Sequence, residues 1–101
     1  MYKEQIEAYF SDKEPLLVDA VCRLVSIDSV EGEPAPGAPF GPGPAAALEE
    51  GLKLAQEWGL ITQNHEGYVG TADLCDKADA LHILGHLDVV APGEGWTVTQ
   101  P

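Results

Sequence analysis

Along the opening stretch, "MYKEQIEAYFSDKEPLLVDAVCRLVSI", apolar side chains recur mostly every three or four positions, at Ile6, Phe10, Leu17, Val21, Leu24 and Val25. That spacing lines one face of a helix, so the segment is expected to be helical with this face laid on something apolar. Pro15 interrupts it, because an interior proline removes a backbone hydrogen bond and costs about 3 kcal/mol. Ser11 and Glu14 form an S-x-x-E capping box. Such a box ends one short helix near Tyr9, starts another around Ser11 and leaves Pro15 in an early turn, where it is tolerated. A break is expected there rather than a straight rod.

From Gly32 to Pro44 the chain reads "GEPAPGAPFGPGP", a run of proline and glycine that supports neither a helix nor a strand ladder. Loops of such length are functional or disordered. Phe40, within "APFG", favours a packed or functional loop, since a flexible linker needs no aromatic ring. Pro44 then suits a first helical position, and "PAAALEEGLKLAQEWG" sets Ala45, Leu48, Leu52 and Ala55 on one face before Gly59 supplies a left-handed stop. "LITQN" and "YVGTADL", rich in β-branched and aromatic residues, are expected strands joined by the turn "HEG". After the turn-forming aspartates of "CDKADA" comes "LHILGHLDVV", Leu81 to Val90, whose near-continuous apolar run suits an interior strand buried on both faces. Two helical regions and a sheet of about three strands define an α/β layered fold, with no internal repeat and no boundary between domains.

The chain holds 5 Lys+Arg against 17 Asp+Glu, a formal charge of -12. Such a surface repels phosphate backbones and anionic lipids, which argues against nucleic acid and membrane as partners. The acidic residues are spread out, as on a solvated surface, and form no block that would read as an interaction tail. Hydrophobic residues make up 45% of the 101 positions, enough for the modest core of one small domain or part of a larger one. Cys22 and Cys75 form no C-x-x-C pair and are expected as buried small hydrophobes, with a disulfide as the lesser alternative. The opening residues lack the apolar centre of a secretion signal, and no run reaches the roughly 18 apolar residues of a membrane span, so a soluble cytoplasmic protein is expected.

His86 and Asp88 stand out because they interrupt an apolar run, where desolvating a charge is costly. Two positions apart on a strand, they project from the same face. A neutral imidazole binds a metal through one nitrogen and donates its other N–H to a carboxylate, which fixes the tautomer and raises the basicity of the ligating nitrogen. An isolated H-x-D is more often a surface pair or an N-cap.

The flanks sharpen this. In "GHLDVVAPGEGW" a glycine precedes His86, an apolar pair and a Pro-Gly turn follow Asp88, and Trp96 closes the stretch. This closely resembles the first signature of the co-catalytic zinc metallopeptidases, which include aminoacylase, carboxypeptidase G, succinyl-diaminopimelate desuccinylase and the PepV-like dipeptidases. The proline stands one place later than in many of those sequences, which is expected to alter only the turn. The opening helix with "LVSIDSVEGE" is similar to that family's helix and I-x-S-V segment. "APFGPGPAAALEEGLKLAQEWG" and the G-Y-x-G of Gly67 to Gly70 resemble the PepV-like branch in particular.

The resemblance implies that residues 1–101 are the amino-terminal portion of a zinc-peptidase catalytic domain, with the remainder of that domain and a specificity domain absent. It implies two zinc ions, or other divalent metals, with His86 as a metal ligand and Asp88 as the active-site carboxylate that orients it. The implied reaction is hydrolysis of the amide bond of dipeptides. The bridging aspartate, a Glu-Glu pair containing the general base, and the later ligands are expected downstream of Pro101. The piece alone is therefore expected to be inactive and, with a hydrophobic strand edge open, to self-associate. An aminoacylase or deacylase of the same family, or a non-catalytic module that kept the fold, are the alternatives. Of the other polar residues, His65 is expected in an exposed turn and His82 in the core. Glu49, Glu50 and Glu57 are expected on a solvated helix face, and Trp96 under the turn that precedes it.

Overall fold

The computed structural model describes residues 1–78 and 81–98. Asp79, one of the turn-forming aspartates, and the last residues of "GWTVTQP" lie outside them. Element order is α1 (Tyr2–Phe10), α2 (Glu14–Val25), α3 (Pro42–Glu57), β1 (Ile61–His65) and β2 (Val69–Asp73).

The break between α1 and α2 falls where Pro15 demands it, and Pro15 sits in the first turn of α2. The capping box does not form. Ser11 continues the last turn of α1 in helical conformation, φ -57 and ψ -28, and its hydroxyl donates back to the Ala8 carbonyl at 2.8 Å. With Ser11 still in the last turn of α1, the next helix begins later, and Lys13 is its N-cap, without a side-chain bond.

The expected apolar face of these helices is present but uncovered. Ile6, Phe10, Leu17, Val21 and Val25 are all exposed, and Ala20 is the one buried residue of α2. Both cysteines are exposed free thiols, against the expectation of burial. Cys22 lies on the open side of α2, and Cys75 follows β2 in a stretch that no other element covers.

α3 starts two residues earlier than expected, with Gly41 as N-cap and Pro42 in its first turn. Pro44 still falls among the first amides, which have no intrahelical acceptor, so its missing N–H costs nothing there. The helix ends as its glycine predicts: Gly59 has φ 86, its N–H donates to the Gln56 carbonyl, and the Leu60 N–H donates to the Ala55 carbonyl at 3.0 Å. These two bonds are the Schellman stop. Buried Ala47, Leu54 and Ala55 turn towards the interior, while Leu48 and Leu52 are half-buried.

Arg23 ties α2 to α3. Its guanidinium grips both Glu57 oxygens, at 2.7 and 3.2 Å, and donates through Nε to Glu50 at 2.8 Å. Glu50 and Glu57 are thus part of the helix–helix contact instead of a free solvated face. The hydrogen bonds and charge of Arg23 hold the Glu57 carboxyl below its ordinary range. A lowered carboxyl contributes stability that is complete above the ordinary glutamate range and is lost as pH falls through the lowered value. Arg23→Gln should therefore melt earlier than the native chain near neutral pH, with the gap closing in acid, as thermal melts across that window would show.

β1 and β2 form an antiparallel hairpin with Ile61 opposite Asp73 and His65 opposite Val69. The turn carries two left-handed residues in succession, Glu66 (φ 58) and Gly67 (φ 80), with the Tyr68 N–H donating to the His65 carbonyl at 3.1 Å. This is the mirror-image geometry that matches strand twist. His65 is accordingly the last residue of β1, its ring nitrogen 3.1 Å from Thr71 Oγ1, and is exposed. α3 packs across both strands.

The expected third strand does not pair. Among the described residues the sheet has two strands, and the β-pairing of Leu81 to Val90 is one isolated parallel bridge, Val30 to Val89. A strand of this composition needs neighbours on both edges and layers on both faces, and the described residues provide neither. His82 is consequently exposed, not a core residue. The radius of gyration, 16.3 Å, exceeds the roughly 13 Å of a compact domain of this length, in keeping with a thin α/β layer. No helix of the described residues is long and apolar enough to cross a membrane.

Candidate functional site

The segment bearing His86 and Asp88 is fastened by the turn after α2. Asp28 Oδ1 accepts the Val30 N–H at 3.3 Å, shaping that turn. Ser29, only 3% exposed, donates its hydroxyl to the Leu87 carbonyl at 2.9 Å, and its own carbonyl accepts the Val89 N–H at 3.3 Å. The Leu87 side chain lies over Gly51 of α3, so close that a Cβ there would stand 2.8 Å from Leu87 Cδ1. Ser29→Ala would leave the Leu87 carbonyl without this donor and should cost about 1–3 kcal/mol. The check is a denaturant melt, together with faster amide exchange at Val89.

With Leu87 anchored, its neighbours His86 and Asp88 turn to the other side and meet. His86 Nδ1 lies 3.0 Å from the Asp88 backbone carbonyl and 3.3 Å from Asp88 Oδ1. Both neighbours are acceptors, so Nδ1 carries the proton and, in the neutral ring, Nε2 keeps the free lone pair. The side chains are 82% and 63% exposed. A pair that open to water adds little to stability, so its arrangement is not accounted for by folding.

Both residues line a cleft of about 480 Å³. The two other motifs also line it: Phe40 of the "APFG" loop and Tyr68 of the hairpin turn meet edge to face, with ring centroids 5.5 Å apart at 89°. The loop is packed, as its aromatic suggested, with the Gly32 N–H donating to the Phe40 carbonyl and Ala35 and Ala38 exchanging two backbone bonds. Glu31 and Asp88 bring carboxylates to the cleft, and no lysine or arginine lines it. Trp96 donates its indole N–H to the Gly93 carbonyl at 2.9 Å, bracing the turn as expected, while half its surface stays exposed.

Among the described residues no group of three or more His, Cys, Asp and Glu side chains is placed to hold a metal ion. The donor chemistry of His86 fits one coordination position. A catalytic zinc takes three protein ligands in the usual case, so the described residues fit such a centre in part. Sequence reasoning missed Ser29 and Glu31 as neighbours of the site. Ser29 gave a signal in "IDSV", a small polar residue between apolar ones just beyond a helix, but nothing local shows that its partner lies far along the chain.

No protein-family model matches the chain. Among curated proteins it is similar to "Putative dipeptidase YtjP" of Bacillus subtilis, 39% identical over 87 residues, which is 84% of this chain and 19% of that protein. It is similar also to "Putative dipeptidase SH1171" of Staphylococcus haemolyticus, 34% identical over 98 residues, and to "Putative dipeptidase SAUSA300_1697" of Staphylococcus aureus, 33% identical over 98 residues. Each of these two alignments covers 95% of this chain and 20% of the relative. The relatives thus carry dipeptidase names, and the chain spans about a fifth of their length.

Proposed function

We propose that these residues are the amino-terminal part of a metal-dependent dipeptidase of the co-catalytic zinc metallopeptidase family, with His86 a metal ligand and Asp88 the carboxylate that orients it. The observation that carries this reading is the Nδ1 contact to Asp88, which leaves the lone pair of Nε2 on a residue lining an open cleft. The dipeptidase names of the relatives favour a peptide over an N-acyl amino acid as substrate. Two zinc ions, when bound, supply polarisation of the scissile carbonyl and a water acidified to a pKa of about 7. This chain's own part is narrower: Asp88 holds the imidazole, His86 offers one nitrogen, and Ser29 fixes the backbone that carries both. The other ligands and the general base belong to residues these 101 do not include.

The test is turnover of a dipeptide panel by the full-length protein, zinc-loaded and after chelation. Hydrolysis that chelation stops and zinc restores is expected; hydrolysis indifferent to chelation, or none in the zinc-loaded protein, contradicts the reading. The 101 residues alone should hydrolyse nothing and should self-associate through the open faces of α1, α2 and the Leu81 to Val90 run. A compact monomer with a cooperative melt, seen by light scattering and calorimetry, would count against that.

A further inference from the structure

The hairpin turn is held with more care than a connection requires. A Cβ on Gly67 would stand 2.6 Å from the Gly37 carbonyl oxygen and 2.9 Å from Pro39 Cδ, and one on Gly70 would stand 2.8 Å from both Leu48 Cδ1 and Leu52 Cδ2. Glycine at both positions lets the turn press on the proline-rich loop on one side and on α3 on the other. Between these two points sits Tyr68, its backbone fixed, its ring against Phe40, and 60% of it exposed. Tyr68 and Phe40 both line the cleft that His86 and Asp88 also line.

We propose that Tyr68, backed by Phe40, is a specificity-determining residue that selects a bulky apolar side chain on the peptide held in this cleft. The inference rests on the hydrolase reading above. The cleft lining has the mixed character such a ligand needs: Phe40, Tyr68, Pro44 and Leu48 are apolar, and His86, Asp88 and Glu31 are polar. About 480 Å³ falls within the roughly 300–1,000 Å³ of small-molecule sites. A peptide whose amide meets the polar residues has a side chain to lay on the apolar ones. Apolar contact made there counts equally before and during reaction, so it belongs in KM more than in kcat.

The experiment is the ratio of kcat/KM for leucyl-leucine to that for glycyl-glycine in the full-length, metal-loaded protein. The wild type should favour leucyl-leucine. Tyr68→Ala and Tyr68→Val should each lower the ratio by about 10-fold or more, chiefly through KM, since small apolar losses in a pocket are worth about that much. Tyr68→Phe, which keeps the ring, should restore the ratio. Two truncations are used so that misfolding of one leaves the other to be read. An unchanged ratio in a truncation that still turns over glycyl-glycine overturns the inference and leaves the dipeptidase reading standing. A wild type that hydrolyses neither peptide overturns both.

Discussion

His86→Ala in the full-length protein is expected to bring dipeptide hydrolysis down to the uncatalysed background. The ring presents a single free nitrogen, Nε2, because Nδ1 is engaged by the carbonyl and carboxylate of Asp88. No neighbouring histidine can replace it: His65 is placed at the end of β1 against Thr71, and His82 stands four positions upstream. The loss should not be one of folding, since a side chain 82% exposed leaves no cavity when truncated. Rate measurements paired with thermal melts of the metal-free proteins separate the two, and a variant whose metal-free form melts with the native one while turnover is lost is the expected result.

Asp88→Asn is expected to lower activity by about 10- to 100-fold, the range for removing the partner that orients a metal-bound histidine. The backbone carbonyl of Asp88 remains 3.0 Å from Nδ1 and still selects the tautomer. What the variant removes is the negative charge that makes Nε2 a better donor. Metal should therefore still bind, more weakly, and the fall in rate should exceed any change in melting temperature. Loss of all metal from Asp88→Asn would instead mean that the carboxylate is itself a ligand.

The helices and the hairpin were legible because their signals are local. Pro15 is admitted only in the first turn of a helix, Gly59 ends one, and the composition of "LITQN" and "YVGTADL" with a glycine turn between them makes a hairpin. The Ser11 capping box does not form because Ser11 stays helical at the end of α1, while a capping residue has to leave the helical region. Burial differs outside α3: the stripe of Ile6, Leu17 and Val21, both cysteines, and His82 are expected inside and lie outside. Periodicity tells which face is apolar and says nothing of what covers it. The run from Leu81 to Val90 failed as a strand for the same reason, as pairing depends on neighbours that no local pattern specifies.

The site divides along the same line. His86 and Asp88 were readable as a pair because they are two residues apart, and they do meet, although through an anchored extended segment and not a sheet. The Ser29 clamp and the Phe40–Tyr68 contact join positions 58 and 28 residues apart in sequence. Only the folded chain brings those together.

Zinc titration of the full-length protein and of His86→Ala, read by competition with a chelating dye, tests the central claim most directly. The native protein should bind two ions, and the variant should lose one of them or hold it weaker by orders of magnitude. Equal stoichiometry and equal affinity in the two proteins would contradict that claim.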